Sequence, residues 1–226
     1  MSWLKRLWHD RTAPADEGLR LLRLTMQGWN DEGTRGDMRG WRDGQGDFLS
    51  LVVTDKPLGL PQLSDQVALQ ECFRRLAESR GAGLIEMHVI TGALGPTASL
   101  IYKRLLKPAY AFTGMLFVPS AKPSQVWTVV AEEHGTTGVR EAVITAELFN
   151  AGSMTIQDYE RSWARDPYDP DYCGVDRSVL RFVSDHETYD ERFPEHPLSK
   201  VRRILAALPS SVHVEPAGMS FFYGSA

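Results

Sequence analysis

Between Gly83 and Glu132 the chain alternates apolar and polar residues in four successive runs: Gly83 to Thr91, Ala98 to Leu105, Ala109 to Val118 and Gln125 to Glu132. Alternation with a period of two is the pattern of a half-buried strand. The connections are short: Gly92 to Pro96, Lys107-Pro108, and Pro119 to Ser124. Parallel strands need crossovers of about a dozen residues or more, so these four can only run antiparallel. The segment predicts a meander. In its first strand Ile85, Met87 and Val89 share one face, and Glu86 and His88 share the other, either as an acid and base pair or, the favoured reading, as the solvated side of a half-buried strand.

Helical spacing flanks the meander on both sides. Ser64 and Asp65 offer capping oxygens to a run in which Leu69, Cys72, Phe73 and Leu76 share a face, with Gly81 placed to end it. Thr137 is placed to cap a second helix running through Val139, Val143, Ala146, Leu148 and Phe149 to Gly152, and Thr155 with Asp158 opens a short third one ending near Trp163. Ser184 and Glu187 form a capping-box pattern for a turn reaching Arg192. Pro197 fits the first position of a last helix, Leu198 to Leu208, with Val201, Leu205 and Leu208 inward and Pro209 ending it. Ahead of the meander, Leu19 to Met26 and Asp47 to Thr54 read as strands. The six glycines from Gly28 to Gly46 read as a loop anchored by Trp29 and Trp41. With 226 residues, 42% of them hydrophobic, the chain can bury a sizeable core. The expectation is an α+β fold: one domain over residues 19–226 and an appendage over 1–18.

Charge and cysteine content narrow the function classes. Lysine and arginine total 25 against 29 acidic residues, a net charge of −4, which supplies no general basic field for nucleic acid. The uncharged stretch between Lys107 and Lys122 is interrupted by Pro108, Gly114 and Pro119 and falls short of the roughly 20 apolar residues of a spanning helix. Cys72 and Cys173 are too few for a disulfide framework or a zinc cluster. No secretory cleavage pattern stands at the N-terminus. A cytoplasmic protein is expected.

Two short segments bring together residues capable of chemistry. In Glu132 to Arg140 a strand end meets a helix start, and His134, Thr136, Thr137 and Arg140 add donors to the free N–H groups of the helix end, a set able to hold an anion. The same residues equally serve a strand-to-helix turn with a threonine cap. His186-Glu187-Thr188-Tyr189-Asp190 has an Asp where a zinc helix carries its second His, so His186, Asp190 and His196 make at most a partial ligand set. Asp166, Asp169, Asp171 and Asp176 lack the spacing of a calcium loop and read as Asp-Pro turns. Cys72 reads as a structural thiol on its helix's apolar face. No metal or cofactor is expected. From Asp158 to Glu195 there are 11 acidic and 5 basic residues, an acidic surface suited to a basic partner. At the start of the chain Trp3, Leu4, Leu7 and Trp8 make an apolar face beside Lys5, Arg6 and Arg11, suited to contact with a partner or an anionic membrane.

The order of these elements, a helix, a four-stranded meander and flanking helices over about residues 19 to 210, resembles that of Mog1/PsbP-like α+β domains. The resemblance implies a platform that binds other proteins. The runs His134 to Arg140 and Phe193 to Arg203 also look like segments of an uncharacterised bacterial protein family, to which no activity attaches. The leading expectation is a non-catalytic protein-binding or adaptor module of a bacterial cell. The alternative is a small metal-assisted hydrolase or phosphate-ester-binding enzyme using the His134 to Arg140 turn or the His186 to His196 segment.

Overall fold

The computed structural model describes residue 19 and residues 22–92, 95–119 and 124–214. The appendage, including Trp3, Leu4, Leu7 and Trp8, and residues 120–123 lie outside them. Strands β1 (Leu22–Leu24), β2 (Trp29–Arg35), β3 (Met38–Asp43) and β4 (Phe48–Thr54) lead to helix α1 (Gln66–Glu78). The meander is β5 (Gly83–Gly92), β6 (Gly95–Leu105), β7 (Tyr110–Val118) and β8 (Ser124–Glu132). Helices α2 (Val139–Asn150) and α3 (Ile156–Ser162), the two-residue strands β9 (Ala164–Arg165) and β10 (Arg181–Phe182), helix α4 (Pro197–Ser211) and β11 (Val212–Val214) follow. One seven-stranded antiparallel sheet runs in the order β2-β3-β4-β8-β7-β6-β5. The expected meander is its second half, with β7 and β8 paired from Val118↔Gln125 to Ala111↔Glu132.

Each face of the sheet buries its own core. Helix α4 lies across β7 and β8, and Leu198, Val201 and Leu208 meet Leu116, Trp127 and Val129. Helix α1 covers β5 and β6 on the opposite face, where Leu69 and Phe73 meet Leu84, Leu100 and Phe117. A third cluster, Ile144, Met154, Trp163 and Leu180, ties α2 and α3 to the segment after them. Burial of this many large side chains is the main driving force for the fold. No helix among the described residues is long and apolar enough to cross a membrane.

Local structure departs from the sequence reading at five places. Residues 28–46 form a hairpin, not a loop: β2 and β3 pair through a register shift between Asp31 and Gly33, with Gly36 in the turn at φ 63°. Charged pairs, Arg39 with Asp31 and Arg42 with Glu32, stand where an apolar alternation is normally sought. Trp41 does anchor the segment, stacked on Trp127 with ring centroids 5.8 Å apart. In β5 the register shifts between Leu84 and Glu86, so Ile85 and Met87 enter opposite cores and Glu86 is buried on the α4 side. Thr137 does not cap α2; Gly138 does, at φ 71° and without a side-chain bond. Ser184 is fully buried and caps nothing, and His186 takes over as cap of the short turn Glu187–Tyr189. Pro209 lies within α4, which continues to Ser211, because a proline so close to the end forfeits a single hydrogen bond.

Candidate functional site

The α4 face of the sheet carries a buried charge network. Lys103 on β6 is 0% exposed, and its Nζ lies 2.7 Å from Asp185 Oδ2 and 3.2 Å from the centroid of the Phe182 ring. Arg140, in the first turn of α2, donates to the Ser184 carbonyl at 2.7 Å, Asp190 and Ser199 at 2.9 and 2.8 Å, and the His186 carbonyl at 2.9 Å. Arg202 on α4 donates to both oxygens of Glu86 and to Asp190, and also to the Asp185 carbonyl. Burial opposes ionisation of Glu86, but bonds from His88 and Arg202 prevail and hold its carboxyl at about 2. Such pairs lose much water and are held by multiple hydrogen bonds, so they fix the segment 183–190 against the sheet.

A cleft of about 730 Å³ opens beside this network, where β8 ends and α2 and α4 begin; His134, Thr136, Arg140, Arg192, His196 and Lys200 are among its walls. Glu133 builds the turn. Its carboxylate accepts the backbone N–H groups of Tyr110 and Gly138, both at 3.0 Å, and so pins β7 and the start of α2 to the end of β8. His196 is the N-cap of α4, its Nδ1 accepting the Leu198 N–H at 3.2 Å. Its Nε2 points the other way, 3.8 Å from Glu133 Oε1 and 4.0 Å from Glu141 Oε1. One ligand atom from each of Glu133, Glu141 and His196 lies within 4.8 Å of the others. Among the described residues, neither Glu141 oxygen nor His196 Nε2 has a hydrogen-bond partner, and all three atoms are buried. Burial, reinforced by Asp185, pushes the Glu141 carboxyl up to about 7. Burial and the neighbouring Arg140 push His196 down to about 3.

The residues singled out from the sequence therefore part company. His134 and Thr136 are exposed on the cleft, whereas Thr137 is half-buried beside it. Arg140 does lie at the cleft wall, but its guanidinium is committed to Asp190, Ser199 and two carbonyls. His186, Asp190 and His196 do not combine into one ligand set: His186 bonds Thr188, and Asp190 is taken by two arginines. The acid-rich stretch is partly neutralised from within, with Asp166 paired to Arg74 and Asp185 to Lys103. Asp166 also accepts the N–H groups of Tyr168 and Asp169, in keeping with the turn reading. Cys72 is half-buried, and burial raises its thiol pKa. Glu141, Lys103 and Arg202 were not singled out from the sequence. A lysine inside an apolar strand run was the one available signal, since such a residue needs a partner when the strand is buried.

On the opposite face α1 leaves part of the sheet uncovered. A groove of about 510 Å³ lies between α1, the segment 56–60 and strands β4, β7 and β8, with Leu58, Leu60, Leu76, Met115, Phe117 and Val126 in its lining. Its charged lining residues are Lys56 and Arg75, both cationic.

No protein-family model and no curated protein matches the chain. Among solved structures, the chain is similar to the Saccharomyces cerevisiae Ran-binding protein Mog1p, at 9% identity and a TM-score of 0.44 over 89% of this chain and 93% of that one. A mutant of Mog1 gives 7% identity and a TM-score of 0.40 over 86% and 90% of the two chains. The cyanobacterial PsbP of Synechocystis sp. gives 14% and 0.35 over 64% and 89%. The likeness is a loose one, at the level of the fold.

Proposed function

We propose that this chain is a non-catalytic protein-binding module, and that the groove beside α1 receives an amphipathic segment of another protein with apolar side chains flanked by acidic ones. The carrying observation is the groove itself. Leucine, methionine, phenylalanine and valine side chains line a surface depression, and soluble proteins usually cover an apolar surface of this kind or use it. Lys56 at the same groove favours acidic flanks by charge complementarity, and Arg75 beside it shares its charge with Glu71 one helical turn away. Methionine and leucine linings adapt to apolar side chains of varied shape, as partner grooves require. Opposite the groove, the buried charged residues are spent on one another: Arg140, Arg202, Lys103, Asp185 and Asp190 form ion pairs.

A photo-crosslinking side chain at Thr128, inside the groove, is expected to give a discrete partner adduct in cells, and one at Glu160, in a different surface depression, is not. Leu58→Lys, at a half-buried position on the groove's edge, should remove that adduct while leaving the melting temperature within a few degrees. Adducts of equal pattern from both positions, or none from Thr128, would overturn the reading.

A further inference from the structure

The buried group at the cleft wall supports an inference independent of the groove. We propose that Glu133, Glu141 and His196 form a site for one divalent metal ion of the class that accepts carboxylate and imidazole together, zinc or manganese.

Three elements deliver the three side chains: the end of β8, the first turn of α2 and the cap of α4. Ligand atoms about 2.1 Å from a shared metal are at most about 4.2 Å apart. The 3.8 and 4.0 Å separations from His196 Nε2 to the two carboxylates fit within that limit, and the three atoms lie within 4.8 Å of one another, so binding an ion requires only a small closing of the side chains. The side chain of His196 is only 8% exposed, and its Nε2 lacks a partner among the described residues. Both oxygens of Glu141 are in the same position, with the side chain 13% exposed. Buried polar atoms normally find partners, and an orphaned imidazole nitrogen facing an orphaned carboxylate oxygen 4.0 Å away marks the place of a missing one. Glu133, by contrast, is already oriented: its two backbone bonds hold the carboxylate still and leave further lone pairs for an ion, as the supporting bonds of metal ligands do.

Charge points the same way. The buried network sets the carboxylates of Glu86, Glu133, Glu141, Asp185 and Asp190 against the cations Lys103, Arg140 and Arg202, and even with His88 protonated beside Glu86 a surplus of negative charge remains. A divalent cation offsets that surplus. Mixed imidazole and carboxylate donors suit zinc or manganese better than calcium, which takes oxygen alone. Binding through Nε2 places the ring proton on Nδ1, so the capping bond from Leu198 opens; one cap is a small loss beside a coordinated metal. Glu133 and His196 line the cleft and Glu141 lines the neighbouring depression, so the site has a path of entry from the surface.

The full chain, stripped with a chelator, is titrated with Zn²⁺ by calorimetry and with Mn²⁺ by electron paramagnetic resonance. Expected are one saturable site and a melting temperature that rises with metal concentration. Glu141→Gln tests the site without breaking any hydrogen bond described for the fold, and should weaken binding by more than about tenfold. Glu78→Gln, at the end of α1 on the opposite face of the sheet, should not. His186→Ala controls for capture by an exposed imidazole. Absence of saturable binding, binding unchanged by Glu141→Gln, or binding lost with His186→Ala would each overturn the proposal.

Discussion

Asp190 bonds two guanidiniums from different helices, and through it the charges of α2 and α4 become one unit. Glu86 is the end of that chain, and its titration is the cleanest handle on it. Its carboxyl sits at about 2 in the fold against an ordinary 4.5, so it adds stability above pH 4.5 that fades as pH falls through 4.5 toward 2. Glu86→Gln should lower stability near neutral pH by about 2 to 3 kcal/mol. It should also flatten the acid limb of the curve of urea midpoint against pH. If variant and parent lose stability in parallel below pH 4.5, Glu86 does not carry the linkage. At this scale the sequence was least readable. Glu86 was placed on a solvated face because alternation was carried straight through the strand, and the one-residue register shift that buries it leaves no mark in composition. Arg140 was legible as a special residue and misread in role, since a guanidinium at a helix start serves an anion or an internal carboxylate equally well from sequence alone.

Elements meet most tightly where a glycine makes room. A Cβ on Gly114 of β7 would stand 2.6 Å from Val201 Cγ1 and 2.8 Å from Leu205 Cδ1, so α4 rests directly on the strand backbone. On Gly83 of β5 it would stand 2.1 Å from the backbone oxygen of Val179. The obstacles differ in kind, because side chains can rotate aside and a carbonyl cannot. Gly114→Ala should therefore cost about 1 to 3 kcal/mol, and Gly83→Ala more. Urea midpoints at constant slope rank the two. Equal losses would mean that the segment 177–180 yields as easily as a side chain. Helices were legible because caps and apolar spacing are local: the Asp65 and Thr155 caps and the Pro197 start all stand where their residue types placed them. The hairpin of β2 and β3 was not. Ion pairs between its strands replace the alternation that usually betrays a strand, and its glycines mimic a loop.

For the molecule as a whole, the meander followed from loop lengths alone, while the join between β4 and β8 left nothing to read. Sequential strands announce themselves through the turns between them; strands paired across a long interval do not. That seam sets the order in which the sheet can be completed. Leu49, Leu51 and Val53 are buried in the finished protein, yet their strand waits for a neighbour that begins about 70 residues after it ends. Until β8 has been synthesised, β4 presents an open apolar edge of the kind that pairs with other chains. Ribosome-stalled chains of increasing length should show residues 48–54 open to protease up to the point where residue 132 clears the exit tunnel, and protected only beyond it. Protection at shorter lengths would show that β4 finds another neighbour first. The same seam makes translation itself a hazard: a pause before residue 132 has cleared the tunnel prolongs exposure of a sticky strand, whereas a pause after that point does not.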